Sequence, residues 1–316
     1  MKVIAIDIGG TKIASALVTL SDGAPAVEHL ERIPTQAEQG GERVLARALA
    51  AARRVLALAP DACGIGVSTA GVPDPRTGAI TYANEVMPGW TGIRLGEELA
   101  CSCNLDVRVL NDVHAHALGE ARHGAGRGMH SCLVVAVGTG VGGAFVSDGM
   151  IMLGAHGEAG HIGHVTCTEA AGMPCACGAV GHLEPIAAGP GIIAEYLRLG
   201  GAGAKADGSP VDGAEIDARA SAGDSDAIAA EQRSGRALGE VIGSMCNMLD
   251  PAGVILSGSV AQCGAFWHDA LADAFARTAM PPLAHVPIRS GALGGAAPLI
   301  GAAEHVSSPA YRELIA

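Results

Sequence analysis

Residues 3–18 read VIAIDIGGTKIASALV. An apolar run, Val3 to Ile6, meets Asp7 and a glycine pair, and a second apolar run follows from Ile13 to Val18. Two strand-like runs around a Gly-rich tip predict a β-hairpin. The pattern recurs downstream: Leu133 to Val137, then Gly138-Thr139-Gly140, then Gly142 to Val146. One such hairpin near the start of each half of the chain indicates a weak internal duplication. It predicts two related α/β domains facing each other.

The remaining pattern agrees. Glu42 to Leu58 reads as an amphipathic helix with Leu45, Leu49, Ala52 and Leu56 on one face. Ile65 to Val67 is a short strand that runs into the turn Ser68 to Pro73. Val107 to Leu110 is another, ending in Asn111-Asp112, and helical pattern resumes from Val113 to Ala121. Gly200 to Gly213 reads as a loose surface loop. Ala227 to Leu249 is a long helix, and Gly253 to Leu256 a strand followed by Ser257-Gly258-Ser259. Strands alternating with helices imply an α/β fold.

The 316 residues suffice for about two domains. Charged residues make up 16% and aromatics 3%, so the core must be built from small aliphatic side chains. A net charge of −12 repels a phosphate backbone and argues against nucleic acid as a partner. The start, MKVIAIDIGG, lacks the long apolar stretch and cleavage site of a signal peptide. The uncharged stretch from Ser131 to Ser147 is too short and Gly-rich to span a bilayer. Nine cysteines without an export signal favour a reducing cytoplasm over a disulfide framework.

Four stretches carry chemistry. In Asp7-Ile8-Gly9-Gly10-Thr11-Lys12 the glycines allow close approach to a phosphate, Thr11 can donate a hydrogen bond, and Asp7 could hold a water of Mg2+. The order is not that of a P-loop, and an ordinary hairpin tip remains the alternative. Gly138-Thr139-Gly140-Val141-Gly142-Gly143 offers a second backbone cradle, or again a tight hairpin. Its four glycines carry an entropic cost that phosphate binding would justify. Asn111-Asp112 ends a strand, where α/β folds bind ligands. A carboxylate there can act as a general base, although a helix N-cap is the simpler local reading.

The fourth stretch, residues 160–184, reads GHIGHVTCTEAAGMPCACGAVGHLE. His164, Cys175, Cys177 and His182 supply four soft or borderline ligands, a set suited to tetrahedral zinc. Pro174, Gly178 and Gly181 provide the turns. A metal-free cysteine-rich loop is the alternative. A four-ligand site is closed, so the zinc would be structural, leaving His161 and Glu184 to face a substrate.

Taken together, these motifs resemble the ROK family of bacterial sugar kinases, repressors and related proteins, across nearly the whole chain. Asp7 to Lys12 and Gly138 to Gly143 are similar to its two phosphate motifs, and Leu110-Asn-Asp-Val to its catalytic strand end. Gly160-His-Ile-Gly-His with Cys175 to Glu184 is similar to its zinc signature, and Val254 to Ser259 to its adenosine-side motif. The resemblance implies an α/β, actin-like (ribonuclease H-like) two-lobed sugar kinase fold with a cleft between the lobes. It places residues 1–113, joined by a C-terminal helix near 298–316, in a smaller lobe and 114–297 in a larger one. ATP with Mg2+ would meet Asp7, Gly9, Gly10, Thr11, Lys12, Gly138, Thr139, Gly140, Gly142 and Gly258. The sugar would meet Gly71, Asn84, Asn111, Asp112, His161, His164 and Glu184, with Asp112 taking the proton of the attacking hydroxyl. A homodimer in the cytoplasm is implied, with no membrane partner.

Two departures shape the expectation. His182 stands where most members have a third cysteine, so a Cys2His2 zinc set is expected. His161 stands where the common kinase motif has Glu, and Ala-Gly-His-Ile-Gly-His resembles the bacterial N-acetylmannosamine kinases of sialic acid catabolism. The expected reaction is therefore phosphorylation of N-acetylmannosamine at its 6-hydroxyl. Glucose and N-acetylglucosamine are the alternative substrates. A sugar-responsive repressor would need a DNA-binding domain ahead of Asp7, for which these residues leave no room.

Overall fold

A computed structural model of the chain describes residues 1–21 and 23–309. They divide into two compact units, the first formed by Met1–Ser131, Ala144–Gly160 and Gly291–Ala316, the second by Cys132–Gly143 and His161–Ser290.

The opening stretch forms strand β1 (Lys2–Ile8) and strand β2 (Lys12–Thr19), paired antiparallel with Ile8 opposite Ile13. Strand β3 (Ala26–Pro34), strand β4 (Ile65–Thr69) and strand β7 (Val107–Asn111) complete a five-stranded sheet in the order β3-β2-β1-β4-β7. The short strands β5 (Val72–Pro73) and β6 (Ile80–Tyr82) pair separately.

Alternation along β1 sorts its side chains to two faces. Ile4, Ile6 and Ile8 enter one core with Val44, Ala48, Ala52 and Val55 of helix α1 (Gly41–Leu58) and Leu95 and Leu99 of helix α2 (Leu95–Cys103). Val3 and Ala5 enter the other with Leu299, Ile300, Ala303 and Val306 of helix α9 (Ala297–Ser307). The last helix can lie this close because β4 has Gly66 beneath it, where a Cβ would overlap the Ala302 carbonyl.

Helix α3 (Asp112–His123) belongs to the first unit. The reason is backbone-close packing on α9: Gly119 lies against the Ala297 carbonyl, and Gly301 against that of Ala115. Residues 144–160 also join this unit. Of the helix expected near 298–316, the part to Ser307 is helical, and residues 310–316 lie outside the described residues.

The second sheet repeats the first in outline. Strands β8 (Ser131–Val137), β9 (Val141–Ser147), β10 (Met150–Ile151), β11 (Val254–Ser257) and β12 (Ile288–Ser290) run in the order β10-β9-β8-β11-β12. In each sheet the first strand is central, its hairpin partner lies on one side, and a parallel strand lies on the other. The duplication expected from the two Gly-tipped runs is thus present in the topology.

The second unit carries helices α4 (Glu184–Ala187), α5 (Gly189–Leu199), α6 (Gly213–Ser221), α7 (Ser225–Leu249) and α8 (Ala265–Thr278). Gly235 and Gly239 of α7 lie under the carbonyls of Trp267 and Leu271. Buried Trp267 donates its indole N–H to Ser234 Oγ at 3.0 Å, so this large aromatic is also hydrogen-bonded. Among the described residues no helix is long and apolar enough to cross a membrane.

Replacing Gly239 with Ala should cost about 1–3 kcal/mol, because the added methyl forces α7 and α8 apart. Gly213→Ala, at a helical position with open space around it, should be neutral or stabilising by about 0.5–1 kcal/mol. Thermal unfolding of both variants checks the pair.

Candidate active site

Three parallel strands, β1, β4 and β7, end together. Ile8 pairs with Thr69, and Thr69 with Asn111. This shared carboxyl edge is where open α/β sheets hold ligands. Asp7 sits one residue before the edge and Asp112 one residue beyond it.

Ser68, on the neighbouring strand, donates its hydroxyl to Asp7 Oδ1 at 2.6 Å. Burial raises the Asp7 carboxyl above its ordinary range, against the lowering effects of Ser68 and Lys12. At the tip the Gly9 N–H bonds the Lys12 carbonyl at 3.0 Å, and Thr35 Oγ1 donates to the Gly9 carbonyl at 2.6 Å. Gly9, Gly10, Thr11 and Lys12 therefore form a braced turn whose shape is set from outside the hairpin.

The N-cap of α3 is Asn111, not Asp112. Asn111 Oδ1 accepts from the Val113 N–H at 2.9 Å, and its Nδ2 donates to the Gly71 carbonyl at 2.9 Å. Gly71 has φ +86°, and a Cβ there would crowd the Tyr82 carbonyl. Asn84 Oδ1 accepts from the Val86 N–H at 3.2 Å. The Val113 N–H is shared, since it also lies 2.9 Å from Asp112 Oδ1. Burial, opposed by the Val113 N–H and reinforced by the charge of Asp7, pushes the Asp112 carboxyl up to about 6. A carboxylate tuned toward neutral pH is suited to accept a proton.

The second unit gathers its own set. The Gly138 N–H bonds the Gly140 carbonyl at 2.9 Å, and the Gly189 N–H bonds the Gly138 carbonyl at 2.8 Å. Gly258 has φ +95°, and a Cβ there would overlap the Val137 carbonyl, so the turns after β8 and β11 meet backbone to backbone. Thr139 and Gly142 belong to the first of these turns and its outgoing strand. Glu184 Oε2 accepts from the Val141 N–H at 3.0 Å. Glu184 thus fastens the zinc-type loop to the glycine turn, a structural link that nothing in the sequence signals.

His164, Cys175, Cys177 and His182 converge, with one donor atom of each within 4.8 Å of the others. Cys175 Sγ lies 3.6 Å from His164 Nδ1, and Cys177 Sγ 3.2 Å from His182 Nδ1. Tetrahedral zinc, with bonds of about 2.0–2.3 Å, sets its donors roughly 3.5 Å apart, so this set fits the ion. Convergence comes from short antiparallel bridges, Thr166 with His182 and Pro174 with Val180, and from turns at Gly178 and Gly181, both at positive φ. His161 is exposed, with its ring stacked 6.2 Å from that of His164.

Helix α7 staples this loop from outside. Arg233 donates to the Glu169 carbonyl oxygen at 2.6 Å, Arg236 pairs with the Glu169 carboxylate at 3.0 Å, and Thr168 donates to Glu240 at 2.6 Å. These residues, like Ser68 and Thr35 in the first unit, carry no motif and were not visible in the sequence. In the first unit Asn111 joins Gly71, and Asp7 lies near Asp112; in the second Glu184 joins the glycine turn to the zinc-type loop.

Comparison with known proteins agrees with this architecture. The ROK family profile matches residues 3–308. A glucokinase of Halalkalibacterium halodurans is 32% identical over 94% of this chain and 92% of its own length. An N-acetylmannosamine kinase of Escherichia fergusonii is 35% identical over 82% of this chain and 84% of its own. The crystal structure of the ROK hexokinase from Thermus thermophilus superposes with a TM-score of 0.82 at 33% identity, covering 96% of this chain and 97% of that one. That of a ROK family glucokinase from Streptomyces griseus, in complex with glucose and AMPPNP, gives 0.76 at 27% identity over 96% and 98%. This chain belongs to the ROK family, and its fold is the α/β, actin-like fold of ROK sugar kinases.

Metal analysis of the purified protein should find the four-ligand loop filled by about one zinc per chain. Cys175→Ser should remove that zinc and lower thermal stability and sugar affinity together, because the same loop presents His161 and Glu184. A folded, active, zinc-free protein sinks this assignment.

Proposed function

We propose that this chain is an ATP-dependent sugar kinase that phosphorylates N-acetylmannosamine at the 6-hydroxyl. The observation that carries the kinase reading is Asp112: a carboxylate at the shared end of β1, β4 and β7, beside the Asn111 helix cap and raised to about 6. In this reading Asp112 accepts the proton of the attacking hydroxyl. Gly71, Asn84, Asn111, His161, His164 and Glu184 bind the sugar. Asn111 would do so while holding the Gly71 carbonyl, which couples the sugar contacts to the helix cap. His164 can serve two roles, since Nδ1 faces Cys175 and Nε2 is a separate donor or acceptor.

ATP is assigned to Asp7, Gly9, Gly10, Thr11 and Lys12 and to Gly138, Thr139, Gly140, Gly142 and Gly258. Mg2+, when it accompanies ATP, neutralises phosphate charge. Burial raises both Asp7 and Asp112, and the charge of Asp7 raises Asp112 further, so a nearby cation would suit the pair, and Asp7 would hold one of its waters. Zinc in the Cys175 loop serves shape rather than chemistry. A cytoplasmic homodimer completes the proposal.

The choice of sugar rests on His161. An ionised Glu could only accept hydrogen bonds, whereas neutral His can donate to an acetamido carbonyl. A mismatched polar group buried against the wrong sugar costs on the order of 1–3 kcal/mol. Glucose is the second reading, favoured by the glucokinase relative that covers 94% of the chain.

Asp112→Asn should lower turnover by roughly 10²–10⁴-fold with little change in sugar binding. In the wild type, kcat/KM should fall as pH drops through about 6, where Asp112 takes up a proton and can no longer act as base. Near-normal turnover of the variant would show that Asp112 is not the base.

A coupled ADP-release assay on N-acetylmannosamine, glucose and N-acetylglucosamine decides the substrate. The wild type should give its highest kcat/KM with N-acetylmannosamine, and His161→Glu should shrink the preference over glucose. If the wild type prefers glucose, the amino-sugar assignment fails. An unchanged ratio in the variant removes His161 as the selector.

A further inference from the structure

A second group of ligating side chains lies in the second unit, among residues that neither the active-site reading nor the zinc-type loop uses. Asp217 projects from α6, Glu231 from α7, and Cys263 from the turn before α8. One carboxylate oxygen from each acid and the Cys263 Sγ all fall within 4.8 Å of one another. The three residues come from three different elements, so their convergence is a product of the tertiary fold.

Glu231 is 1% exposed. Neither of its carboxylate oxygens has a hydrogen-bond donor among the described residues. Its neighbour Asp217 is itself an acid, and the two can bond only with a proton between them. Asp217 is already held in place, since its Oδ1 accepts from the Gly264 N–H at 2.6 Å. No Lys or Arg among the described residues pairs with either acid. A buried carboxylate without a donor or a countercharge is strongly destabilised unless something positive joins it.

We propose that Asp217, Glu231 and Cys263 form a binding site for a borderline divalent cation of the Zn2+ and Co2+ class, separate from the Cys175 loop. The donor set selects the class. Mg2+ and Ca2+ take oxygen-only shells, while a thiolate beside two carboxylates suits a softer ion. Three protein ligands leave a fourth position for water. Asp217 and Cys263 are half-buried, so the ion has a way in, while Glu231 supplies the closed side.

Binding expels the Cys263 thiol proton, and any proton shared by the acids, to solvent as the metal–sulfur and metal–oxygen bonds form. Burial and the two acids hold that thiol up at about 12 without a cation, and burial with Asp217 holds Glu231 at about 7. An incoming positive charge relieves both. Cys263 follows the Gly258 turn by five positions, so an ion here ties α6 and α7 to the segment assigned to the adenosine side of ATP.

The test is metal content of the full-length protein after exposure to excess Zn2+ and gel filtration, repeated with Co2+. Cys263→Ser and Glu231→Gln should each lose about one equivalent relative to wild type and keep the Cys175-loop metal. Cys175→Ser should lose the other equivalent and keep this one. With Co2+, the thiolate-to-metal absorption remaining in Cys175→Ser should vanish when Cys263→Ser is added. If Cys263→Ser fails to fold, Glu231→Gln decides, since it removes a buried charge without changing shape. Equal metal content in wild type and Glu231→Gln overturns the proposal and leaves a proton-sharing acid pair. Failure of the Cys175 loop to bind zinc shows separately, as a Cys175→Ser protein with wild-type metal content.

Discussion

The common ending of β1, β4 and β7 is the constraint on which the first unit depends. Register Ile8–Thr69–Asn111 puts Asp7, Ser68 and Asn111 on one edge, and everything chemical in that unit is built there. The register is held by covering both faces of the sheet. Isoleucines of β1 face α1 and α2, while Val3 and Ala5 face α9. A one-residue slip would exchange those faces, so the buried pattern locks the edge in place. Gly66 lets α9 press onto β4, and α9 in turn holds α3, whose first residue is Asp112. The candidate base is positioned by a chain of contacts that ends at the far terminus of the sequence.

Electrostatics at that edge follow from the same geometry. Burial raises both Asp7 and Asp112, and the charge of Asp7 adds to the effect at Asp112. A fold selected for stability alone would not gather two carboxylates here. Group functions at such sites often conflict with local stability. Asn111 resolves part of the conflict by taking over the helix cap, which a reading of the local sequence would have given to either residue of the pair.

The second unit solves a different problem, that of holding an irregular loop. The stretch around Cys175 has no helix or strand of its own length to rely on. Its shape comes from the four converging ligands, from Glu184 on the Val141 N–H, and from Arg233, Arg236 and Glu240 along one face of α7. Helix α7 can serve as that platform because glycines on another part of its surface let it pack closely on α8.

The amino-acid sequence by itself determined the two Gly-tipped hairpins, the α/β alternation, the long helix to Leu249 and the ligand loop. All of these are local patterns: apolar period, turn residues and ligand spacing are written in neighbouring positions. Helix α1 was legible from its periodicity, although Val44, Ala48 and Val55 join its buried face, because alanines cover a sheet as well as leucines do. The tertiary structure alone decided that α3 belongs with α9, that Ser68 holds Asp7, that Asn111 rather than Asp112 caps α3, and that Asp217, Glu231 and Cys263 meet. Apart from the Asn111 cap, which is local, those relations join residues from different elements of the chain. They depend on strand register and on how closely two backbones approach, and neither quantity is carried by the residues on their own.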